Sequence, residues 1–424
     1  MMITRRTFLS ATGAAAFVSP WFLQAAEPAS SRKKLAVITT EWRYRSHAWH
    51  MAERFLVGYP LHGKWHRPPF DVVSAYVDQK PDSDLSVSRS KEFGFPLYKT
   101  VAEALRCGGK SLAVDAVLII GEHGDYPKSE YEQTKYPRYE FFKQTTDVFR
   151  QDGRAVPVFN DKHLSWKWDW AKEMVDISRE LKFAFAAGSS LPVTWRMPAI
   201  DMPYDAPVEE MLCVAIGSID SYDFHALEVI QCMAERRQGG ETGVKAVTAM
   251  KGDAVWQAMA SGSFTAGGWD PRLFEACLSR SQTLAQPETF SHRYPTVEQM
   301  REWVKEPVSY RIEYTDGTRA TMLLMNGLVG DFTFAAKIKG QAEPQSTLFY
   351  LPPNPNVTYS ASLMSKAEET FLTGRAPCPI ERTLLTSGLV EAGCRSLGTG
   401  QKRLETPYLN VQYRAPQEST FARD

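Results

Sequence analysis

The chain has 424 residues, with 49 Lys and Arg against 49 Asp and Glu, 43% hydrophobic and 12% aromatic content. The balanced charge excludes a broad electrostatic footprint for nucleic acid, a mean hydropathy of −0.33 excludes a multi-span membrane protein, and the composition excludes a disordered chain. At roughly 100–200 residues per domain, this length predicts two or three domains, each able to bury its own core.

Residues 1–26 carry Arg5 and Arg6 as their only charges, followed by a weakly apolar run from Thr7 to Ala26 broken by Gly13 and Pro20. A charged start, an apolar stretch and small residues at Ala25 and Ala26 form the pattern of an export signal. The run barely spans a bilayer, so a permanent transmembrane helix is the weaker reading, and an uncleaved anchor is the alternative. Thr4-Arg5-Arg6-Thr7-Phe8-Leu9 resembles the twin-arginine signal, which carries folded proteins out of the cytoplasm. A periplasmic or otherwise exported protein is expected, with no integral membrane span in the mature chain. Removing the segment leaves 47 basic against 49 acidic residues. The six cysteines are scattered without a Cys-x-x-Cys pair, which argues against a zinc knuckle and favours buried free thiols.

From residue 33 onward strands alternate with helices. The unbroken apolar run Leu35 to Ile38 reads as a strand buried on both faces. Trp49, Ala52 and Leu56 fall on one helical stripe, and Asp71 to Val77 is a second strand ending at Asp78. Thr100 and Glu103 form a capping box, and Asp115 to Ile120 is a further buried strand stopped by Gly121. Tyr139, Phe142, Thr146 and Phe149 keep helical spacing up to Gly153, Ala155 to Phe159 is a strand, Trp170, Met174, Ile177 and Leu181 mark another helix, and Phe183 to Ala187 closes the set. Five or so strands separated by helices predict right-handed crossovers and one parallel sheet covered on both faces. The ligand crevice of such a sheet lies beyond the strand C-termini, which singles out residues 39–46, 78–84, 121–125 and 160–164.

Beyond residue 191 the pattern changes. Alternating apolar residues around Asp316-Gly317 signal a hairpin, residues 332–338 and 347–351 extend a mostly antiparallel sheet ended by Pro352-Pro353, and Leu384, Leu385, Leu389 and Val390 mark a late helix. The expected fold class is α/β, a Rossmann-like doubly wound parallel sheet followed by an α+β domain. The expected division is a signal at 1–26, a nucleotide-binding type domain at 27–190 and a substrate or oligomerisation domain at 191–424.

Several stretches together resemble the Gfo/Idh/MocA family of glucose-fructose oxidoreductases and inositol dehydrogenases. Lys34–Thr39 is similar to its first strand, Val72–Asp78 to the strand ending in a ribose-binding acid, and Glu92 to Tyr98 to its glutamate-glycine-tyrosine stretch. Residues 115–119 resemble the strand before the nicotinamide, 153–164 the strand end with the catalytic lysine, and Tyr222 to Glu228 the segment with the catalytic histidine. The resemblance implies NAD or NADP, tightly bound, a sugar or polyol substrate and a homo-oligomer. It places Thr39, Thr40, Arg43, Asp78, Gly121, Glu122 and His123 against the nucleotide, and Lys162, His225 and Asp220 in catalysis.

The departure is in the first turn. Where the family has Gly-x-Gly-x-x-Gly, whose glycines let the backbone approach a pyrophosphate, this chain reads Thr39-Thr40-Glu41-Trp42-Arg43-Tyr44-Arg45-Ser46. Arg43 and Arg45 either meet phosphates by guanidinium contacts or are solvated loop charges. Asp220 and Asp223 both lie near the place of the family's aspartate, which is Ser221 here.

In the implied chemistry His225 is the general base for a carbinol, Lys162 stabilises the alkoxide, and Asp220 or Glu228 orients the imidazole. An exported nicotinamide enzyme must bind its cofactor before export and retain it. Two other readings stand beside this one: a sugar-binding or scaffold protein that lost nucleotide binding, and a metal-dependent lyase or isomerase suggested by His47-x-x-His50 and His62-x-x-x-His66. No metal ligand is assigned. Trp166, beside Lys162, is a candidate for stacking on a sugar ring.

Overall fold

The computed structural model describes residues 32–352 and 357–423. The expected export signal with Arg5 and Arg6, and Pro353, lie outside the described residues. Strand β1 (Lys33–Thr39) carries Leu35 and Val37 on one face and Ala36 and Ile38 on the other, all fully buried, because helices cover both sides of its sheet. Short helices α1 (His47–Met51) and α2 (Glu53–Val57) follow, then the hairpin β2 (Tyr59–Leu61) and β3 (Lys64–His66). Next come β4 (Phe70–Val77), α3 (Ser86–Phe93), β5 (Leu97–Tyr98), α4 (Val101–Leu105) and β6 (Ala116–Ile120). Helix α5 (Arg138–Asp152), β7 (Val158–Asp161), α6 (Trp168–Glu180) and β8 (Phe185–Gly188) complete this half. Its six strands are all parallel, in the order β5-β4-β1-β6-β7-β8.

The second half holds β9 (Arg196–Met197), β10 (Val208–Ala215), α7 (Tyr222–Ala234), β11 (Val244–Lys251), α8 (Asp253–Ser261), α9 (Pro271–Arg280) and α10 (Val297–Trp303). It continues with β12 (Val308–Tyr314), β13 (Arg319–Leu324), β14 (Phe332–Ile338), β15 (Gln345–Phe349), α11 (Tyr359–Thr373), α12 (Ile380–Gly398) and β16 (Leu404–Glu405). The eight strands run β16-β11-β12-β13-β10-β14-β15-β9, antiparallel except for the β10–β13 pair. The architecture is thus a Rossmann-like parallel sheet with a C-terminal, mostly antiparallel α+β part.

Several local expectations hold. Thr100 and Glu103 form the reciprocal capping box, Gly153 ends α5 with φ of 64°, and Gly317 turns the β12–β13 hairpin at φ of 90°. Others shift. The strands expected at 155–159 and 183–187 start at Val158 and Phe185, because Pro157 has no N–H and the ladder opens only at the next residue. The stripe Trp49, Ala52, Leu56 falls on two helices that break at Ala52; Ala52 is fully buried and Trp49 and Leu56 pack half-buried against the same core as Ala48, Met51 and Phe55. His62 and His66 stand on the β2–β3 hairpin and share no helical face.

Two helices from the second half return to the parallel sheet. Leu363, Met364, Ala367 and Phe371 of α11 pack with Leu35, Val37, Phe55 and Phe70, filling the face that the short helices α1 and α2 leave open. Helix α12 packs against α6, α7 and β11, and Gly393 lets it close on the Tyr310 ring, which an added Cβ would meet at 2.2 Å. Helices α8, α9 and α10 cover the central strands of the mixed sheet through Trp256, Phe274 and Met300, joined by Trp269 from the loop before α9. All six cysteines are free thiols. No helix among the described residues is long and apolar enough to cross a membrane.

Candidate functional site

The ends of β6, β7 and β8 open onto one cavity of about 130 Å³, whose walls include His47, His123, Lys162, Tyr222, His225 and Tyr359. Lys162 follows β7 with φ of 65°, and His123 follows β6 with φ of 72°. L-residues adopt this left-handed conformation at a cost, and such residues cluster at functional sites.

Lys162 is 3% exposed, and its Nζ lies 2.7 Å from His225 Nε2. His225 sits in the first turn of α7, and its Nδ1 meets Ser189 Oγ at 2.6 Å. An ammonium has only protons to give, so His225 Nε2 accepts and the ring proton sits on Nδ1 toward Ser189. Burial, followed by the Lys162 charge, keeps the His225 imidazole well below its ordinary value of 6.5. Ser189, which sequence reading misses, is the group that orients this ring. Glu228 stands behind it, accepting from the Ser189 backbone N–H and from the Thr386 hydroxyl at 2.6 Å.

Glu122 balances the cations. Its Oε2 accepts from Arg138 Nη2, and Oε1 is 3.7 Å from Lys162 Nζ. Burial alone would raise this carboxyl, but Lys162, Arg138, His47 and His123 outweigh it and hold Glu122 well below the usual carboxylate range. The preceding residue must be glycine for reasons of space, since a Cβ on Gly121 would stand 2.5 Å from Arg138 Cγ. The fully buried Arg138 also donates to His163 Nε2 at 3.0 Å, leaving the His163 proton on Nδ1.

On the other side of the cavity, His47 Nδ1 lies 2.5 Å from Asp161 Oδ2. The His47 ring packs edge-on against His50 at 4.7 Å and His123 at 4.9 Å between centroids. Sequence spacing pairs His47 with His50, and the crevice beyond the strand C-termini gathers the loops that hold His123 and Asp161, but only the fold shows that Asp161 is the partner of His47. Among the described residues, no group of three His, Cys, Asp or Glu side chains is arranged to hold a metal ion.

Asp220 does not reach His225. It accepts from Thr134 N at 2.6 Å, and its other oxygen is 4.0 Å from His163 Nε2. Asp223 is engaged elsewhere, accepting from Tyr310 OH at 3.0 Å and from Phe224 N at 2.8 Å. Trp166 packs on Trp170 and is not part of the cavity wall.

The residues expected at a nucleotide are engaged with one another. Thr40 Oγ1 donates to Glu122 O at 2.7 Å, Thr39 Oγ1 to Glu41 O at 3.2 Å, and Arg43 Nε is 2.6 Å from Glu41 Oε1. Trp42 is fully buried and stacks on Phe95 at 5.9 Å, so the turn after β1 is anchored by an indole where a pyrophosphate cradle needs glycine. The Ser46 hydroxyl caps α1. Asp78 accepts from Tyr76 OH at 2.5 Å and Tyr126 OH at 2.6 Å. Gln79 exchanges two 2.9 Å hydrogen bonds with the Asp125 backbone. The loop after β6 therefore crosses the end of β1 and is fastened to the end of β4.

No protein-family model matches the sequence, and no curated protein matches it significantly. Its fold is similar to that of solved structures. A myo-inositol dehydrogenase from Lactobacillus casei, in complex with NAD(H) and myo-inositol, shares 11% identity and a TM-score of 0.52 over 88% of this chain and 96% of that one. GenD2 from gentamicin A biosynthesis, in complex with NAD, shares 14% identity and a TM-score of 0.51 over 88% and 96%. A probable dehydrogenase from Thermotoga maritima shares 11% identity and a TM-score of 0.51 over 89% and 99%.

Proposed function

We propose that the chain is an enzyme acting on a hydroxyl-bearing small molecule, a sugar or polyol, on the fold of the nicotinamide-dependent dehydrogenases. The observation that carries this reading is the 2.7 Å contact between Lys162 Nζ and His225 Nε2 at the C-terminal end of the parallel sheet. A substrate hydroxyl that takes the place of the ammonium at Nε2 can give its proton to the neutral imidazole, whose Nδ1 already carries the ring proton. Lys162 then faces the developing alkoxide, and Glu122 offsets the added positive charge.

The finer form of this reading is oxidation of a carbinol by a nicotinamide dinucleotide taken up before export and retained. The fold and the NAD held by two of its neighbours support it. The residues present do not fit that group in the arrangement described: Trp42 replaces the glycine turn, Tyr126 takes the Asp78 carboxylate, and the loop after β6 spans the groove. Export through the twin-arginine signal belongs to the same proposal and is supported by Arg5-Arg6 alone.

The test is consumption of a panel of sugars and polyols by the purified protein, with and without NAD+ and NADP+. Lys162→Met and His225→Ala are expected to abolish it, and unchanged turnover in both variants overturns the proposal.

A further inference from the structure

The cavity contains a second proton-handling pair that the Lys162–His225 contact leaves unused. Adjacent residues at the end of β7 hold the two imidazoles: Asp161 holds His47, and Lys162 holds His225. His47 opens α1, where the Ser46 cap fixes the turn, and its Nδ1 is committed to Asp161, so Nε2 is the nitrogen left for a substrate. This is the carboxylate-oriented imidazole of general-base catalysis. The groove beside it is filled by the protein's own Trp42, Tyr126 and Gln79 contacts, which leaves a cavity of small-molecule scale with proton carriers on two sides.

We propose that His47, oriented by Asp161, is a second general base, and that the protein relocates a proton on an α-hydroxy carbonyl compound such as a keto sugar without a dinucleotide. The proposal rests on the acid–base role of Lys162 given above. The C–H bond of the carbinol carbon next to the carbonyl breaks, and its proton passes to His47 Nε2. The bonding pair forms the carbon–carbon double bond of an enediolate, and the carbonyl π pair moves onto oxygen, where the Lys162 ammonium stabilises it. Delivery of a proton to the other face of the same carbon by the Lys162 ammonium, on the opposite side of the cavity, gives an epimer, after which His47 releases the first proton to solvent and Lys162 regains one. Return of the first proton to the former carbonyl carbon instead, with the hydroxyl proton moving between the oxygens, gives the isomeric carbonyl compound. The molecule undergoes no net oxidation or reduction, so no acceptor is required.

The electrostatics agree with this use of the pair. Burial, reinforced by Glu122 and opposed by Lys162, Arg138 and His50, raises Asp161 to about 7, while burial and Lys162 lower His47 to about 3. A proton arriving at Nε2 therefore moves the Nδ1 proton toward Asp161, and the pair as a unit takes up one proton near neutrality.

The test is hydrogen exchange in D2O, read by proton NMR on fructose, tagatose, sorbose and a methyl 3-keto-glucopyranoside, with full-length protein and no added nucleotide. Loss of the signal next to the carbonyl is expected at least 100-fold faster than in buffer. His47→Gln and His47→Ala are each expected to slow it at least 100-fold, and Asp161→Asn at least tenfold, with circular dichroism unchanged. Absence of exchange on all four compounds, exchange unaffected by His47→Gln, or a dinucleotide held stoichiometrically in the native protein overturns the proposal. Exchange lost in Lys162→Met but intact in His47→Gln overturns the second base alone, whereas exchange intact in both overturns the Lys162 reading as well.

Discussion

Lys162 Nζ and His225 Nε2 meet at 2.7 Å although 63 residues separate them, one at the end of a parallel strand and the other in the first turn of α7. Removing either member should abolish the proton transfer that the pair provides. Lys162→Met and His225→Ala are expected to lower kcat by about 10²–10⁴-fold, measured on whichever substrate the panel identifies.

Ser189 is a positioning residue, since it touches only the Nδ1 side of His225. Ser189→Ala should lower kcat roughly tenfold with little change in KM, because the ring loses its orienting partner while the cavity wall is retained. Rescue by Ser189→Thr separates orientation from general damage, and a KM change without a kcat change sinks the assignment.

Glu122 joins Arg138 and Lys162 in a buried charge cluster. Glu122→Gln leaves two buried cations without their counter-charge, and the expected loss is about 3–5 kcal/mol of stability by urea denaturation. An unchanged midpoint would show that the cluster is not coupled to folding.

Burial and then Asp223 raise Asp220 from 3.8 to about 7. Below pH 3.8 the side chain is protonated in both states and costs nothing. Between the two values the unfolded chain ionises first, so the native state loses stability as pH rises, fully so above about 7. Asp220→Asn retains an acceptor for Thr134 N and removes the ionisation. It should gain on the wild type between about pH 4 and pH 8, by up to about 4 kcal/mol. A pH-independent difference would exclude the raised value.

If the N-terminal pattern directs export of folded protein, Lys at both Arg5 and Arg6 should retain the chain in the cytoplasm. Cell fractionation with and without these changes is the measurement, and equal periplasmic yield rejects the signal.

Much of the fold is legible in the sequence, because its signals are local. A run such as Leu35 to Ile38 needs cover on both faces whatever lies around it, and Thr100-x-x-Glu103 or Asp316-Gly317 fixes its own turn chemistry. Lys162 and His225 are also legible, through their place in ordered stretches similar to a known family. The sequence further shows that the first turn lacks glycine, but not what replaces the function of that turn. Only the tertiary structure decides that Trp42 is buried under it, that Tyr126 and Gln79 fasten the next loop across the groove, that Asp161 is the partner of His47, and that Ser189 joins the site while Asp220 stays away. The reason is physical. Periodicity and capping act within a few residues, whereas the partner of a buried charge is set by which strand ends and loops the parallel sheet brings together, from positions up to more than a hundred residues apart.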